Sequence, residues 1–321
     1  MAKGGLGRGL DEIYSRTEGP DLSSFVTEEK MSDYPKEAVI WMIFGSFCFG
    51  TMNALVKWTS DHTDVWMIIM VRSAVIAFAV AAFAASRGIS LKVNDHRTML
   101  LRCIVGLIAM ILYFTALGRI PIGQAVTLQY TGPLFVALLS GRILAERVSP
   151  SVAILVLTAF AGIVLIVSPE VGTVDPNALL ALGSGFFAAL AYMYVRELRQ
   201  TDSPATVIFW FAAFSVAGSI VQSVPNISEI DSNTIAALVG IGIGAGGGQL
   251  GITMAYHKAN AAWVSAFSYL TVLVATFYGF ALFGESLSLA DWMGGALVVG
   301  SGIALVFVFP PDEKNESGNA T

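Results

Sequence analysis

From Glu37 to Phe309 the chain is a succession of long apolar runs broken by short polar turns. That pattern restricts the fold more than any other feature. A bilayer's hydrocarbon core is about 30 Å thick, so a helix needs about 20 mainly apolar residues to cross it. Open strands are excluded in lipid, because nothing there satisfies their backbone groups. Charge breaks and turn residues divide the runs into ten predicted helices: 37–57, 64–86, 97–118, 121–142, 150–168, 176–196, 204–223, 233–257, 260–283 and 289–309. Helices 3 and 4 are separated only by "GRIPIG" (118–123). Composition agrees: 55% of the 321 residues are hydrophobic and 13% charged, against about 25% charged in soluble domains. The expectation is an all-α integral membrane protein.

Lys and Arg set the expected orientation, because short cytoplasmic loops are rich in them. With the N-terminus inside, fifteen fall on inner segments, Arg102, Arg142, Arg147 and Arg196 among them, and two (Lys57 and Arg119) on outer ones. Arg72 stands apart, within helix 2. Both termini are expected in the cytoplasm, with the chain in a bacterial inner membrane. Residues 1–36 form a polar tail with five Lys/Arg and seven Asp/Glu, expected to be disordered. Its "GLGRGLDEI" (5–13) resembles the opening of chromosome-partitioning ParB proteins, and nothing downstream continues that match. Residues 310–321 form a second cytoplasmic tail. The net charge of −5 speaks against a nucleic-acid partner. Cys48 and Cys103 read as small core residues, and three scattered histidines offer no metal spacing. No metal or cofactor is expected.

The chain also matches itself at an offset of 139: Ala116 falls on Ala255, Tyr130 on Tyr269, Glu146 on Glu285, Ser149 on Ser288, and Lys57 on Arg196. "GSFCFG" (45–50) is similar to "GSGFFA" (183–188). Two five-helix repeats follow, 37–168 and 176–309. Five is odd, so the second copy must run upside down. Inverted repeats of this kind build alternating-access transporters, with the substrate site near the membrane midplane. "YFTALGRIPIGQAVTLQYTGPLFVALLSGRILAERVSPS" (113–151) and "AYHKANAAWVSAFSYLTVLVATFYGFALFGESLSLADWMGGALVVGSGIAL" (255–305) resemble the EamA repeats of the drug/metabolite transporter (DMT) superfamily. The second departs from the pattern, with Asn260 in place of the helix-start proline and "VLV" (272–274) in place of "P-L-F". The resemblance implies two inverted five-helix repeats and carriage of a small organic metabolite. It leans toward uptake of a metabolite such as S-adenosylmethionine or riboflavin, with an efflux permease for amino acids or other metabolites as the alternative. A membrane-anchored structural or signalling protein acting through residues 1–36 is the reading of a different class. No nucleophile–histidine set or metalloprotease motif supports an enzyme.

All twenty-three acids lie in tails, loops or helix ends, so a carboxylate relay inside the membrane is not expected. Arg72 costs about 2.5–3.5 kcal/mol at the centre of a span. It reads either as a structural partner of neighbouring helices or as an anion contact. The cavity candidates are polar residues at helical spacing: Asn53, Tyr113, Gln129 and Tyr130, Tyr192, Gln249 and Tyr256, Ser268 and Tyr269. Each also reads as an ordinary interhelical hydrogen bond. The glycine run "GIGIGAGGGQLG" (240–251) reads as close packing or as a flexible segment. Helices 5 and 10 read as scaffold or homodimer surface. Glu146 and Glu285 are expected to be structural, each favouring the dipole of the helix that follows it.

Overall fold

The computed structural model describes residues 36–132, 134–135, 150–167, 174–198, 200–223, 230–256 and 269–308. Met1–Lys36 and Glu37–Thr321 separate into two units, and the helices belong to the second. Ten helices lie among the described residues: α1 (Lys36–Thr59), α2 (Val65–Arg87), α3 (His96–Leu117), α4 (Ile122–Gln129), α5 (Pro150–Val167), α6 (Pro176–Leu198), α7 (Pro204–Ser223), α8 (Ser232–Tyr256), α9 (Leu270–Phe283) and α10 (Leu289–Val308). No strand occurs among the described residues. Six of these helices, α1, α2, α3, α6, α7 and α8, are long and apolar enough to cross a membrane. Shorter apolar stretches lie in α5, α9 and α10. The expected spans 121–142 and 260–283 fall partly outside the described residues; α4 ends at a turn at Tyr130 and Thr131, and α9 is described from Leu270 onward.

Local chemistry sets the helix ends. Asp64 accepts from the Met67 N–H at 2.9 Å to open α2, and Asp95 accepts from Thr98 N–H at 3.1 Å to open α3. Asp231 and Ser203 do the same for α8 and α7. α2 ends at Gly88, which takes a left-handed φ of 63° while the Ile89 N–H reaches back to the Ala84 oxygen. Ser288 and Asp291 exchange side-chain-to-backbone hydrogen bonds (2.9 and 3.1 Å) across the first turn of α10.

The helices pack in pairs. α2 lies against α7, α4 against α9 and α5 against α10. α3 packs on α6 as α1 packs on α8, and α2 meets α8 as α3 meets α7. α4 touches α6 as α1 touches α9. Exchanging α1–α5 with α6–α10 therefore carries this set of pairings onto itself. The glycine run of α8 is packed against α1: a Cβ on Gly251 would lie 2.6 Å from Gly45 Cα and 2.8 Å from the Trp41 oxygen. Close packing accounts for most of it: a Cβ on Gly242 would meet Val75 of α2, whereas one on Gly246 would have nothing within 4 Å. Large apolar side chains such as Phe78, Leu157 and Phe280 face outward, as a lipid-facing surface requires.

Hydrogen bonds gather the connections at two ends. At one end, Lys57, Ile120, Ile122 and Glu285 meet, and Arg119 reaches Asn177. At the other, Asn94 and Asp95 bond to Thr201 and Asp202, while Ser90 and Leu91 accept from Thr206 and Trp210. This is the grouping produced by helices that run alternately up and down.

Candidate functional site

The site is built around a turn in one helix and the start of another. α4 stops at Gln129, and Tyr130 and Thr131 form a turn. α9 starts at Leu270, directly after Tyr269, itself a turn residue. Tyr130 and Tyr269 are the residues paired by the offset of 139. Their rings lie 5.8 Å apart, and the Tyr269 hydroxyl donates to the Tyr130 backbone oxygen at 3.4 Å. Tyr130 follows eight helical residues, about 12 Å of rise, which is near the middle of a 30 Å core. Irregular backbone at that depth is tolerated where it is buried in protein or lines a cavity, and broken helices at the midplane commonly hold transporter substrates. Tyr269 is buried and lies against Gly302 of α10, where any side chain would overlap its hydroxyl. α10, read from the sequence as scaffold, thus makes room for a site candidate.

A serine from the first helix of the opposite half stands at each of these places. Ser184 of α6 donates to Gln129 Oε1, and Ser46 of α1 meets Thr271 of α9 at 3.2 Å. The two serines stand in the similar phrases "GSFCFG" and "GSGFFA". Gly185 lets α6 come close, since a Cβ there would sit 3.0 Å from the Leu128 oxygen. Beside this pair, the Tyr113 hydroxyl donates to Asn53 Oδ1 at 3.0 Å, and both residues are buried.

Arg72 enters from α2. Its Nη1 is 3.3 Å from Met110 Sδ, and its guanidinium is 5.9 Å from the Phe114 ring centre. Arg102 departs from the expectation that it flanks the inner membrane face. Its side chain folds along α3 over Gly106, where a Cβ would collide with Nη1, and its guanidinium stacks 4.1 Å from the Phe211 centroid. A long cationic side chain near a membrane surface ordinarily snorkels outward. The missing side chain at Gly106 and the Phe211 ring provide an inward berth instead.

The other expected residues are more scattered. Tyr192 on α6 is 62% exposed and lies within electrostatic range of Arg102. Gln249 is exposed on α8, where its backbone oxygen accepts from Thr253. The side chain of Tyr256 and all of Ser268 and Glu146 lie outside the described residues. Glu285 differs from the expectation in its reason for being there. Its carboxylate pairs with Lys57 Nζ at 2.5 Å and accepts from the Ile122 N–H at 2.8 Å, which caps α4 and not the following α10. α10 is capped by Ser288 and Asp291, so Glu285 is free to cross to the other half. Among the described residues no group of His, Cys, Asp and Glu is placed to hold a metal.

Apolar helices long enough to cross a bilayer, with Tyr130 at a turn in one helix meeting Tyr269 at the start of another, are the architecture of a membrane transporter. The EamA-like transporter family model matches residues 36–168 and 176–308, and the chain belongs to that family, within the drug/metabolite transporter superfamily. It is 26% identical over 272 residues to a riboflavin transporter of Vibrio cholerae, covering 83% of this chain and 91% of that one. It is 28% identical over 275 residues to the pseudopaline exporter CntI of Pseudomonas aeruginosa, covering 85% and 97%. A solved crystal structure superposes with a TM-score of 0.59 at 21% identity, covering 85% of this chain and 97% of that one, a likeness of fold alone.

Proposed function

We propose that the protein is a secondary transporter that moves a small organic metabolite across a bacterial inner membrane by alternating access. It would do so with ten spans in two inverted repeats, 37–168 and 176–309, between a cytoplasmic tail at 1–36 and another at 310–321. The observation that carries this reading is the meeting of repeat-related Tyr130, at the turn that ends α4, and Tyr269, at the start of α9. A substrate docked there lies between the halves, so rocking one half against the other exposes it to either side. Asn53, Arg72, Tyr113, Gln129, Tyr130, Tyr192, Gln249, Tyr256, Ser268 and Tyr269 are the proposed cavity residues. The protein acts as a carrier and not as an enzyme, and needs no cofactor. The outer faces of α5 and α10 are the proposed surface for a second copy.

Uptake of a metabolite such as S-adenosylmethionine or riboflavin is the leading reading, and the riboflavin transporter among the relatives supports it. Export is the alternative, supported by the pseudopaline exporter. A thermal-shift screen of purified protein identifies the substrate, and vesicle uptake then tests the site. Gln129→Ala and Tyr269→Ala are each expected to lower transport while membrane insertion stays intact. Wild-type transport in both variants would refute the site.

A further inference from the structure

Two arginines in the bundle interior have no carboxylate partner among the described residues. Nε and Nη1 of Arg102 and Nε of Arg72 are shielded from solvent and have no hydrogen-bond partner among the described residues. Among the described residues Arg72 makes a hydrogen bond to a thioether sulfur, a weak acceptor. The described helices carry three acids, Glu37, Glu197 and Asp291, all in a first or last turn. In the sequence, 257–268 holds no acid, and 136–149 holds only Glu146, in the turn after helix 4. Among the described residues, the helices thus supply no carboxylate to either guanidinium.

The two cations converge. Arg72 lies beside Met110 and Arg102 over Gly106, four residues apart on α3, one turn and about 6 Å of rise. They are close enough for the charge of Arg102 to act on Arg72. Each guanidinium has an aromatic ring near it, Phe114 for Arg72 and Phe211 for Arg102. A ring contact engages the flat face of a guanidinium. The in-plane N–H fork, which matches carboxylate and phosphate oxygens, is left without a described partner at Arg72 Nε and at Arg102 Nε and Nη1.

We infer that Arg72 and Arg102 form an anion subsite, and that the transported metabolite carries a carboxylate or phosphate that completes it. This rests on the carrier reading and narrows it. Both metabolites named for the carrier suit such a site poorly: S-adenosylmethionine sets a sulfonium and an ammonium against one carboxylate, and riboflavin carries neither a carboxylate nor a phosphate. An organic anion suits it well, because its arrival neutralises charge that the empty protein leaves exposed to itself.

The test uses the full chain in lipid nanodiscs at constant ionic strength in chloride. Thermal unfolding is followed with 3-phenylpropionate, phenyl phosphate, inorganic phosphate and uncharged 3-phenylpropanol. One or both organic anions should raise Tm, phenylpropanol should not, and Arg72→Gln and Arg102→Gln should each abolish the rise. The stronger of the two anions identifies carboxylate or phosphate as the chemistry. In ligand-free protein, Arg102→Gln should leave Tm unchanged or raise it by about 2–4 °C, because it removes an unpaired charge. Stabilisation by phenylpropanol equal to that by phenylpropionate overturns the inference. So does anion stabilisation that survives Arg102→Gln, or a chloride effect to which neither organic anion adds. If no probe binds, the ligand-free comparison decides: a Tm loss in Arg102→Gln makes Arg102 a structural partner and ends the proposal. A neutral substrate carried in vesicles would remove the anion subsite and leave the carrier reading standing.

Discussion

The two ends of the bundle are tied differently. At one end Lys57 and Glu285 form an ion pair that links α1 to the connection after α9. Lys57 also donates to the Ile120 oxygen at 2.7 Å, and Glu285 accepts from Ile122 N–H, so the start of α4 is gripped from both sides. At the other end the Asp202 carboxylate accepts from the backbone N–H groups of Asn94 (2.8 Å) and Asp95 (3.3 Å), joining the α2–α3 and α6–α7 connections. Both ties cross between the halves. The first is a charged clamp on the broken helix that carries Tyr130. The second joins peripheral connections with a carboxylate and neutral donors. A carrier that alternates has to hold one end while it releases the other, and the clamp stands where such a hold acts directly on the helix that carries Tyr130.

The clamp carries the largest expected effect of substitution. Hydrogen bonds to charged groups contribute about 1.5–3 kcal/mol, so Glu285→Gln, which keeps an acceptor for Ile122 but unpairs Lys57, should lower Tm by several degrees. Lys57→Met should do the same from the other side. A double-mutant cycle on thermal unfolding should show coupling of about 1 kcal/mol or more between the two. Additive effects would mean that the ion pair does not hold this end, and the contrast between the ends would collapse.

Gln124 tests whether the hold extends beyond the ion pair. Its amide donates to the Ile166 oxygen at 3.0 Å and to Asp291 Oδ1 at 3.2 Å, tying α4 to α5 and α10 at the same end. Gln124→Ala should cost about 1 kcal/mol, the net worth of an ordinary buried hydrogen bond, less than Glu285→Gln. An equal or greater loss would shift the weight of that end from the charge pair to the neutral network.

These ties mark where sequence reasoning stopped. The helices were legible because a run of apolar residues between charged breaks is dictated by the bilayer itself. The pairing of Tyr130 with Tyr269 was legible because it follows from the repeat. Glu285 was misread because capping is a local rule, whereas its carboxylate serves a backbone N–H 163 residues away. Arg102 was counted with the inner flank because the orientation rule counts charges and does not see where a side chain bends. Gly106, one turn along α3, was the available sign that an inward path exists. Ser184 was visible only as part of a repeated phrase. Its bond to Gln129 depends on how α6 approaches α4, which no spacing within either helix reveals.

The smallest expected effect lies at the Asp202 end, and it depends on pH. Burial raises the Asp202 carboxyl pKa, but hydrogen bonds from Thr201 and from the Asn94 and Asp95 N–H groups outweigh it and hold the group below the usual aspartate value. Asp95 alongside is also lowered, chiefly by its hydrogen bonds with Thr98. A carboxylate with a depressed folded-state pKa contributes stability that is present above its unfolded value, about 3.9. That stability is lost as pH falls through the folded-state value. The tie is therefore whole at neutral pH and loosens below about pH 4. Hydrogen exchange at the Asn94 and Asp95 amides should then lose protection relative to the Ile122 amide at the opposite end. Asp202→Asn should show the loss already at neutral pH and remove most of the pH dependence. Equal acid sensitivity at both ends would show that the second tie is no more dependent on one carboxylate than the first.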